Sequence, residues 1–589
     1  MSRNRISAML AVTILAAVNA TALAGLSTKL GTGKPLKVFI LAGQSNMQGK
    51  AHPLTVPRMS LSPESKALHD KILDEAGEPR AHENVSIVYF TGGDEKKGVR
   101  RPLIEKKGLL AAGATGAIGP ELGFGIAMDG AVDEPILIIK TAWGGKSLNY
   151  NFRPPSAGLR SFVPPKGGRR RKPPSEETLR EMKAEFEAPQ GAYYRLMMKL
   201  IRKVLADPGE YCDAYDPNQG YEIGGFAWFQ GYNDQFYYPG SFDYYSDVLA
   251  HFIRDVRKDL KTPDMPFVIG VIGINGNNEI GPKMLELRKA MAAPAMMPEF
   301  KGNVAAVKTA DFWDDEMVAA LKRTRRAQEL WDTSEYWTAI GTPAPENRVW
   351  KYTTFDLDPE KQYRDLKKGE EGDERTLTGD TPAALTNWLN PAFDTSKWQK
   401  GHAPIGKGRA PGVYKNEKQK KEVEKRMAMI RSPWGEGNML LMKTTFTLER
   451  TGVSNVRLCI HSTSSFHVYL NGHLVTDYPW WKDVEVRRFD IRAEYLKQGI
   501  NELAFYGNIL ENRGRLFNAV NLYLEGLSKD KAEKLKKQQD AIATPRDHAL
   551  SRGKSHQEYH YLGSAYTYSL IGEAMAKAMI ELEKAGKKE

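Results

Sequence analysis

The sequence predicts an α/β protein whose mainly parallel sheet is covered by helices on both faces, and whose chain is interrupted by an all-β sandwich. Two observations lead to this fold class. Up to about residue 345, short apolar runs alternate with amphipathic helical patterns, as in sheets whose strands are joined by helical crossovers. After residue 345, the sequence consists of short runs of alternating polarity separated by turn signals. A last amphipathic stretch extends from Tyr566 to Leu582.

The apolar runs of the first region have the length and the bounding turns of buried strands. They cover Leu36 to Ala42, Val85 to Phe90, Pro135 to Thr141, Ile223 to Phe229, Phe267 to Gly273 and Val304 to Thr309. The helical patterns between them cover Pro120 to Met128, Tyr193 to Leu205, Phe242 to Leu260 and Lys283 to Met291. Ligands of such sheets bind beyond the carboxyl ends of the strands, so polar residues that follow the runs are candidates for function.

The second region predicts a β-sandwich inserted into the first domain. Its strand candidates are Leu440 to Leu448, Val456 to His461, Phe466 to Leu470, His473 to Val475, Val484 to Ile491, Asn501 to Tyr506 and Ala519 to Leu524. The Asn471-Gly472 pair is a strong signal for a two-residue hairpin turn. We therefore expect residues 35–345 and 528–589 to form one domain, with residues 346–527 inserted between its parts.

Ser45 follows the first predicted strand in the segment Ala42-Gly-Gln-Ser-Asn-Met-Gln-Gly49. The flanking glycines allow a sharp turn that lifts a side chain clear of the sheet edge. An ordinary turn at the end of a strand is the alternative, since one serine between glycines is weak evidence for a nucleophile. The α/β-hydrolase elbow is not matched, because Met47 stands where that motif needs glycine.

Two later segments supply the other parts of an acyl-transfer site. The apolar run that ends at Phe229 is followed by Gln230-Gly-Tyr-Asn233-Asp234, in which Asn233 is a candidate amide donor. His560, in the segment that leads into the last amphipathic stretch, is a candidate base. Acyl transfer needs an attacking hydroxyl, a donor to the developing oxyanion and a proton acceptor, and these three residues provide them.

These segments together resemble the sialate O-acetylesterase and carbohydrate esterase family-six branch of the SGNH (GDSL-like) hydrolases. The resemblance covers residues 35–345 and 545–585, and it implies a flavodoxin-like α/β/α sandwich that removes acetyl groups from sugar hydroxyls without a metal or other cofactor. It also implies that Ser45 is the nucleophile and His560 the general base. The implied oxyanion hole comprises the Ser45 backbone N–H, a glycine of the pair Gly144-Gly145, and the Asn233 side chain.

Gln44 and Gln230, which stand in the same motifs, are predicted to contact the substrate. The triad acid is left open by the sequence, because Gln557 occupies the place three residues before the histidine where these enzymes usually have aspartate. Glu558 is the nearest carboxylate. Asp311, Asp314 and Asp315 follow another predicted strand and are alternatives, as is a dyad in which a backbone carbonyl orients the imidazole. His556 is the rival of His560 for the base.

The first residues predict export. Arg3 and Arg5 precede an apolar stretch that ends in Ala22-Leu-Ala24, which is the pattern of a signal peptide spanning residues 1–24. We therefore expect a secreted or periplasmic protein with no stable membrane span after cleavage. A membrane anchor is the alternative, but the stretch is short and interrupted by Asn19.

The charge and the cysteines of the sequence predict neither a nucleic-acid partner nor a metal site. The formal net charge of +12 is concentrated in local runs such as residues 166–172, which are typical of solvated surfaces, and nucleic acid is not an expected partner. The two cysteines fall in different predicted domains, and no His/Cys spacing suggests a zinc site.

The predicted β-sandwich resembles galactose-binding-like jelly rolls. Within it, Tyr478, Trp480 and Trp481 would offer an aromatic surface for a sugar or belong to its core.

The sequence thus predicts a serine esterase that releases acetate from acetylated carbohydrate through an acyl-enzyme. The sugar is not specified, nor is the oligomeric state. Because the expected aspartate is missing, a glycan-binding protein on an inactive esterase scaffold is the alternative.

Overall fold

The structure, a computed structural model, describes residues 33–586 except for 94, 97–98, 164–174, 238–241, 279, 359–360, 366–374, 409–416, 450–452, 463–464, 479–485 and 509–516. The predicted signal peptide, the basic run at 166–172, Trp480 and Trp481 lie outside the described residues. The chain divides into two compact units. One runs to Thr324 and resumes at Pro545, and the other extends from Arg325 to Thr544. The predicted divisions were after residues 345 and 527.

The first unit is built on a seven-stranded sheet. Its strands are β1 Leu36–Gly43, β2 His82–Gly92, β3 Leu103–Leu110, β4 Ile136–Ala142, β5 Tyr221–Phe229, β6 Phe267–Val271 and β7 Val304–Lys308. The order across the sheet is β3-β2-β4-β1-β5-β6-β7. The β2–β3 pair is antiparallel, whereas the other neighbours are parallel. This confirms the predicted α/β class with a mainly parallel sheet.

The central strands explain why the sequence reads as apolar runs. Every residue of β1 and β4 is buried, because helices cover both faces of a parallel sheet. The edge strand β3 was missed by the sequence analysis. It is mostly exposed and carries Glu105, Lys106 and Lys107, so it shows no continuous apolar run. Between β2 and β3, the two-residue strands Glu95–Lys96 and Val99–Arg100 pair with each other.

Both units contain α-helices. They are α1 Ser45–Gln48, α2 Pro63–Ile72, α3 Pro120–Asp129, α4 Glu176–Glu187, α5 Ala192–Ala206, α6 Asp234–Tyr237, α7 Asp243–Leu260, α8 Pro282–Ala292, α9 Asp315–Thr333, α10 Glu417–Met427, α11 Lys529–Ile542, α12 Pro545–Ser551 and α13 Ala565–Gly586. The four helices predicted from the sequence correspond to α3, α5, α7 and α8, and their ends agree to within one residue. Two 3-10 segments, Pro53–Leu61 and Glu558–Gly563, flank the predicted site.

The last helix, α13, returns the end of the chain to the first unit. It packs on α3 at two glycines that leave no room for a side chain. A methyl group on Gly123 would collide with the Ser569 carbonyl, and one on Gly572 would collide with the Pro120 carbonyl. This close helix contact places the preceding segment, which contains His560, beside the helix that begins with Ser45.

The second unit contains two six-stranded, largely antiparallel sheets and a separate hairpin. Its strands are β8 Thr338–Ala339, β9 Trp350–Phe355, β10 Tyr363–Asp365, β11 Arg375–Leu377, β12 Gln399–Gly401, β13 Ile405–Gly408, β14 Ser432–Pro433, β15 Met439–Leu448, β16 Asn455–His461, β17 Phe466–Leu470, β18 His473–Tyr478, β19 Arg487–Ile491, β20 Gly499–Asn508 and β21 Phe517–Leu527. One sheet has the order β14-β13-β21-β16-β19 with β8 paired to β21, and the other has the order β12-β9-β15-β20-β17-β18. The hairpin is β10-β11.

The two large sheets share one hydrophobic core. Leu458 and Leu522 enter it from one sheet, and Leu440 and Phe505 enter it from the other. The predicted hairpin at Asn471-Gly472 is confirmed, because these residues join β17 to β18 and both have positive φ angles of 52° and 83°. The protein is therefore a mixed α/β chain with an additional β unit.

Candidate active site

Ser45 lies at the carboxyl edge of the parallel sheet, immediately after the central strand β1. It begins the four-residue helix α1 and is 7% exposed. Its backbone N–H belongs to the first turn of that helix, where no intrahelical acceptor exists. A group bound beside Ser45 would therefore meet an available N–H donor.

Gly144, Gly145 and Asn233 lie next to Ser45, on loops that follow the two strands flanking β1. A methyl group placed on Gly144 would stand 3.6 Å from Ser45 Cβ, and one placed on Gly145 would stand 4.0 Å from Asn233 Nδ2. Gly145 has a φ of 75°, which favours glycine. The fold thus brings together all four residues that the sequence analysis assigned to the oxyanion hole.

The Asn233 amide is oriented by Gln44. Gln44 Nε2 donates to Asn233 Oδ1 at 3.1 Å. Asn233 therefore presents its Nδ2 donor towards the loop that contains Gly144 and Gly145, called the glycine loop below. Gln44 Oε1 accepts from the backbone N–H groups of Gly231 and Asn233, each at 3.3 Å, and from Gln230 Nε2 at 3.1 Å. One buried amide therefore fixes the position of the whole Asn233 turn.

Gln44 and Gln230, which were predicted to contact the substrate, are only 1% and 2% exposed. Their amides bond each other and neighbouring loops, and Gln230 Nε2 also donates to the Lys146 carbonyl at 2.9 Å. The structure therefore places them behind the site as supports for Asn233. The position of a side chain after a strand does not reveal whether it points to the ligand or away from it.

Asp234 joins the Asn233 turn to the loop that follows Gly144 and Gly145, a contact that the sequence analysis did not predict. Its carboxylate accepts from the backbone N–H groups of Leu148 and Asn149 at 3.0 and 3.1 Å, and from Gln230 Nε2 at 2.6 Å. Complete burial raises the pKa of Asp234 to about 6. The signal for this residue was its position directly after Asn233, where it begins α6.

His560 lies in an irregular 3-10 turn and is 8% exposed. The next two residues, Tyr561 and Leu562, have positive φ angles of 49° and 59°, which are unfavourable for bulky side chains. Buried hydrogen bonds hold this turn in place. The Tyr561 hydroxyl accepts from the Gly273 N–H at 2.7 Å and lies 2.6 Å from Thr309 Oγ1.

The turn that carries His560 contacts the helix that carries Ser45. Asn46 Nδ2 donates to the Tyr559 carbonyl at 3.3 Å, and Asn46 Oδ1 accepts from the Tyr568 hydroxyl at 2.9 Å. The Tyr568 hydroxyl also lies 3.2 Å from the His560 carbonyl. Among the described residues, the Ser45 hydroxyl has no hydrogen-bond partner. Catalytic hydrogen bonds often form only when substrate is bound.

The imidazole of His560 is paired with another imidazole. Its Nδ1 lies 3.0 Å from Nδ1 of His556. Burial, the neighbouring His556 and the charge of Lys50 lower the pKa of His560 to about 3. Burial and Lys50 also lower the pKa of His556. Both rings are therefore neutral at neutral pH.

The carboxylates considered for the triad do not contact His560 in the described part of the chain. Glu558 is exposed at the start of the turn and has no bond to the ring. Asp314 is buried in a bidentate pair with Arg58, at 2.9 and 2.8 Å. Asp311 and Asp315 accept hydrogen bonds from the side chains of Asn277 and Asn278, respectively.

The described residues hold no cluster of three or more His, Cys, Asp or Glu side chains arranged for a metal ion. Cys212 and Cys459 are both buried and free. No helix among the residues covered by the structure combines the length and hydrophobicity that crossing a bilayer requires.

Several solved structures show a weak likeness to this chain. A protein from Arabidopsis thaliana has 17% identity, covers 47% of this chain and 86% of its own, and has a TM-score of 0.25. A carbohydrate acetylesterase from Xanthomonas citri has 10% identity, with 79% and 74% coverage and a TM-score of 0.26. A β-glucuronidase from Bacteroides uniformis has 17% identity, with 32% and 18% coverage and a TM-score of 0.20. Likeness at these TM-scores supports no inference.

The family comparison is more informative. No curated protein matches the chain in sequence. Residues 35–319, however, match the family model described as "SASA: Carbohydrate esterase, sialic acid-specific acetylesterase". This segment contains β1, the glycine loop and the Asn233 turn. The match confirms the enzyme class that the sequence predicts, and the protein is a carboxylic ester hydrolase.

Proposed function

We propose that this protein is a serine esterase that removes O-acetyl groups from carbohydrate through an acyl-enzyme. The observation that carries the proposal is the convergence of Ser45, Gly144 and Asn233 at one sheet edge, with the His560 turn in contact with the Ser45 helix. A nucleophile, oxyanion donors and a base are then within one site. Secretion or periplasmic location is part of the proposal and rests on the pattern of residues 1–24.

In the proposed reaction, Ser45 Oγ attacks the acetyl carbonyl carbon while His560 Nε2 takes the hydroxyl proton. The oxyanion receives hydrogen bonds from the Ser45 N–H, the glycine loop and Asn233 Nδ2. The bond to the sugar oxygen then breaks, and His560 returns the proton to that oxygen. Water, deprotonated by the same imidazole, attacks the acetyl-enzyme and releases acetate.

We also propose that the first unit has a flavodoxin-like sheet and that the second unit is a galactose-binding-like jelly roll. Without the β2–β3 hairpin, the five strands β1, β4, β5, β6 and β7 have the order 2-1-3-4-5 when numbered along the chain, and this is the order of flavodoxin-like sheets. The two-sheet core of the second unit supports a jelly roll of the galactose-binding-like kind.

The preference for a sugar is supported by aromatic rings beside the site. Tyr232 precedes Asn233, Tyr559 precedes His560, and their rings are nearly parallel with centroids 6.0 Å apart. Phe236 packs edge-on to Tyr232 at 5.6 Å. Phe236 is 64% exposed and Tyr559 is 40% exposed, so this surface is open to a ligand. The apolar face of a pyranose ring is suited to such rings.

A glycan-binding protein without activity is the second candidate. It is favoured by the arrangement around His560, which lacks a carboxylate partner among the described residues. The two candidates differ in one property, acetate release that depends on Ser45.

The test is acetate release from a panel of acetylated xylan, pectin and sialoglycans, with p-nitrophenyl acetate as a substrate that needs no sugar contact. The esterase is expected to release acetate from at least one polysaccharide, and Ser45→Ala is expected to reduce kcat by at least about 10⁴-fold. Ser60→Ala, at an exposed serine of the neighbouring 3-10 segment, is the matched control. Equal release by the wild type and Ser45→Ala would refute the proposal. Sugar binding without release by either protein would favour the glycan-binding alternative.

A further inference from the structure

The pair of histidines at the active site is the feature that the proposed reaction does not yet use. His560 Nδ1 lies 3.0 Å from His556 Nδ1, which is the side of the ring that a triad carboxylate would hold. We propose that His556 is the positioning residue of this esterase: as a neutral acceptor it holds His560 in the tautomer whose Nε2 is free to take the Ser45 proton. This inference rests on the proposed esterase function.

The hydrogen bonds determine which ring donates. The backbone N–H of Gln557 donates to His556 Nδ1 at 2.8 Å, so that nitrogen carries a lone pair. His560 Nδ1 approaches the same nitrogen, and because two lone pairs would repel at 3.0 Å, it carries the hydrogen and shares the single lone pair of His556 Nδ1 with the Gln557 N–H. A neutral imidazole has one N–H, so His560 Nε2 is then the unprotonated nitrogen. This is the tautomer that a general base for a serine needs.

The groups around the pair keep it neutral. Lys50 is the cation that acts on both rings, and its own pKa is lowered by burial. Tyr559 packs on His560 from the same turn, with ring centroids 4.5 Å apart, and Tyr568 contributes its hydroxyl from α13. Within the described residues no carboxylate contacts either ring. A charged His556 would lie against both His560 and Lys50, so the neutral form is favoured.

A neutral acceptor at position 556 affects the pKa of His560 differently from a carboxylate. A carboxylate stabilises the imidazolium that forms during the reaction and raises the pKa of the base. His556 fixes the tautomer without supplying that negative charge. The base is therefore expected to remain unprotonated well below pH 6.5, and the acid limb of kcat/KM is expected to lie far below that value.

The experiment compares three substitutions at position 556 in the full chain. His556→Asn places an amide oxygen close to where the ring has Nδ1 and is expected to retain kcat within about threefold, whereas His556→Ala is expected to lose about 10- to 100-fold in kcat with little change in KM. His556→Asp is expected to move the acid limb up by about 1 to 3 pH units. His548→Asp, at an exposed histidine of α12, adds the same charge elsewhere and is expected to leave the profile unchanged.

A second measurement is independent of turnover. In ¹⁵N spectra of histidine-labelled protein, His560 is expected to show the Nδ1–H tautomer, and His556→Ala is expected to show a mixture of tautomers. Unchanged kcat, pH profile and tautomer in His556→Ala would overturn the inference while leaving Ser45-dependent activity intact. Failure of the proposed function would instead appear as acetate release that does not depend on Ser45.

Discussion

The two sides of the proposed active site are held by different numbers of buried hydrogen bonds. On the oxyanion side, Gln44, Gln230 and Asp234 form a buried network that joins the turn of Asn233 to the glycine loop. On the proton-transfer side, the Ser45 hydroxyl has no hydrogen-bond partner among the described residues, and the ring of His560 bonds one neutral imidazole although its backbone turn is held by buried hydrogen bonds.

This difference indicates which groups of the proposed site are already positioned before substrate binds. Oxyanion donors act best when they need no rearrangement during the reaction, so the fold supports them with many buried hydrogen bonds. Proton transfer needs a base that can approach the hydroxyl when the substrate is present, and that contact can form later. Substitutions on the network side are therefore expected to change kcat without moving the pH profile, whereas those at the His560 imidazole are expected to change its tautomer and the pH dependence as well.

Among the residues that support the two sides, the largest effect is expected at Asp314, on the base side. Its pair with Arg58 is almost fully buried, and Arg58 lies 4.6 Å from the ring centroid of Tyr566, six residues after His560. Asp314→Ala removes the bidentate partner of a buried guanidinium, which keeps only Ser62 and the more distant Glu316, and it is expected to cost about 3 kcal/mol in the free energy of unfolding. Urea unfolding measures this loss, and kcat of the folded fraction is expected to be unchanged.

The double variant Arg58→Met/Asp314→Leu is the control for Asp314, because it removes both charges and is expected to recover much of the lost stability. A large fall in kcat with unchanged stability would mean that Asp314 is the triad acid, and the comparison between the two sides would fail.

Asn233→Ala comes next and tests the oxyanion side directly. Loss of one oxyanion donor is expected to lower kcat by about 10²- to 10³-fold, or about 3 to 4 kcal/mol, with a small change in KM. Steady-state acetate release measures the effect. Asn277→Ala, at an exposed asparagine, is the matched control and is expected to have no effect on kcat. A fall of less than about threefold in Asn233→Ala would remove this side chain from the oxyanion hole.

Gln44→Leu tests the support behind Asn233. The substitution leaves the N–H groups of Gly231 and Asn233 without their acceptor, and it is expected to cost about 1 to 3 kcal/mol in stability. Because Asn233 loses its orienting donor, kcat is expected to fall roughly 10-fold. Thermal unfolding and kinetics of the same preparation separate the two effects, with Gln219→Leu at an exposed glutamine as control. A large rise in KM alone would return Gln44 to the substrate contact that the sequence analysis assigned.

The smallest effect is expected at Phe236, on the aromatic surface outside both networks. Phe236→Ala is expected to raise KM for the acetylated glycan about fivefold, which corresponds to about 1 kcal/mol for a lost aromatic contact. Hydrolysis of ethyl acetate, which has no ring to stack, is expected to be unchanged. Phe236→Tyr keeps the ring and serves as the control. Equal changes for both substrates would mean that the ring supports the fold rather than the sugar.

The sequence predicted the mainly parallel sheet, and it named residues that the structure brings together at one edge of that sheet, because both depend on local signals. Buried parallel strands have continuous apolar sequences, which makes them easy to predict. Because the carboxyl ends of these strands lie at one edge of the sheet, the residues that follow them, Ser45, Gly144 and Asn233, are expected to lie close together. The edge strand Leu103–Leu110 was missed because exposed charged residues hide its pairing. The roles of Gln44 and Gln230 differ from expectation, because local sequence does not show the direction in which a side chain points.

By itself, then, the sequence determined the buried strands of the central sheet, four of its helices, the segments that meet at its carboxyl edge, and the ester hydrolase class. Only the tertiary structure decided which groups touch. The pairing of His560 with His556, the junction made by Asp234 and the burial of Gln44 depend on side chains that meet across turns and loops. Periodicity and motif spacing record which face of an element is buried, but they contain no information about which polar atoms lie within 3 Å of one another.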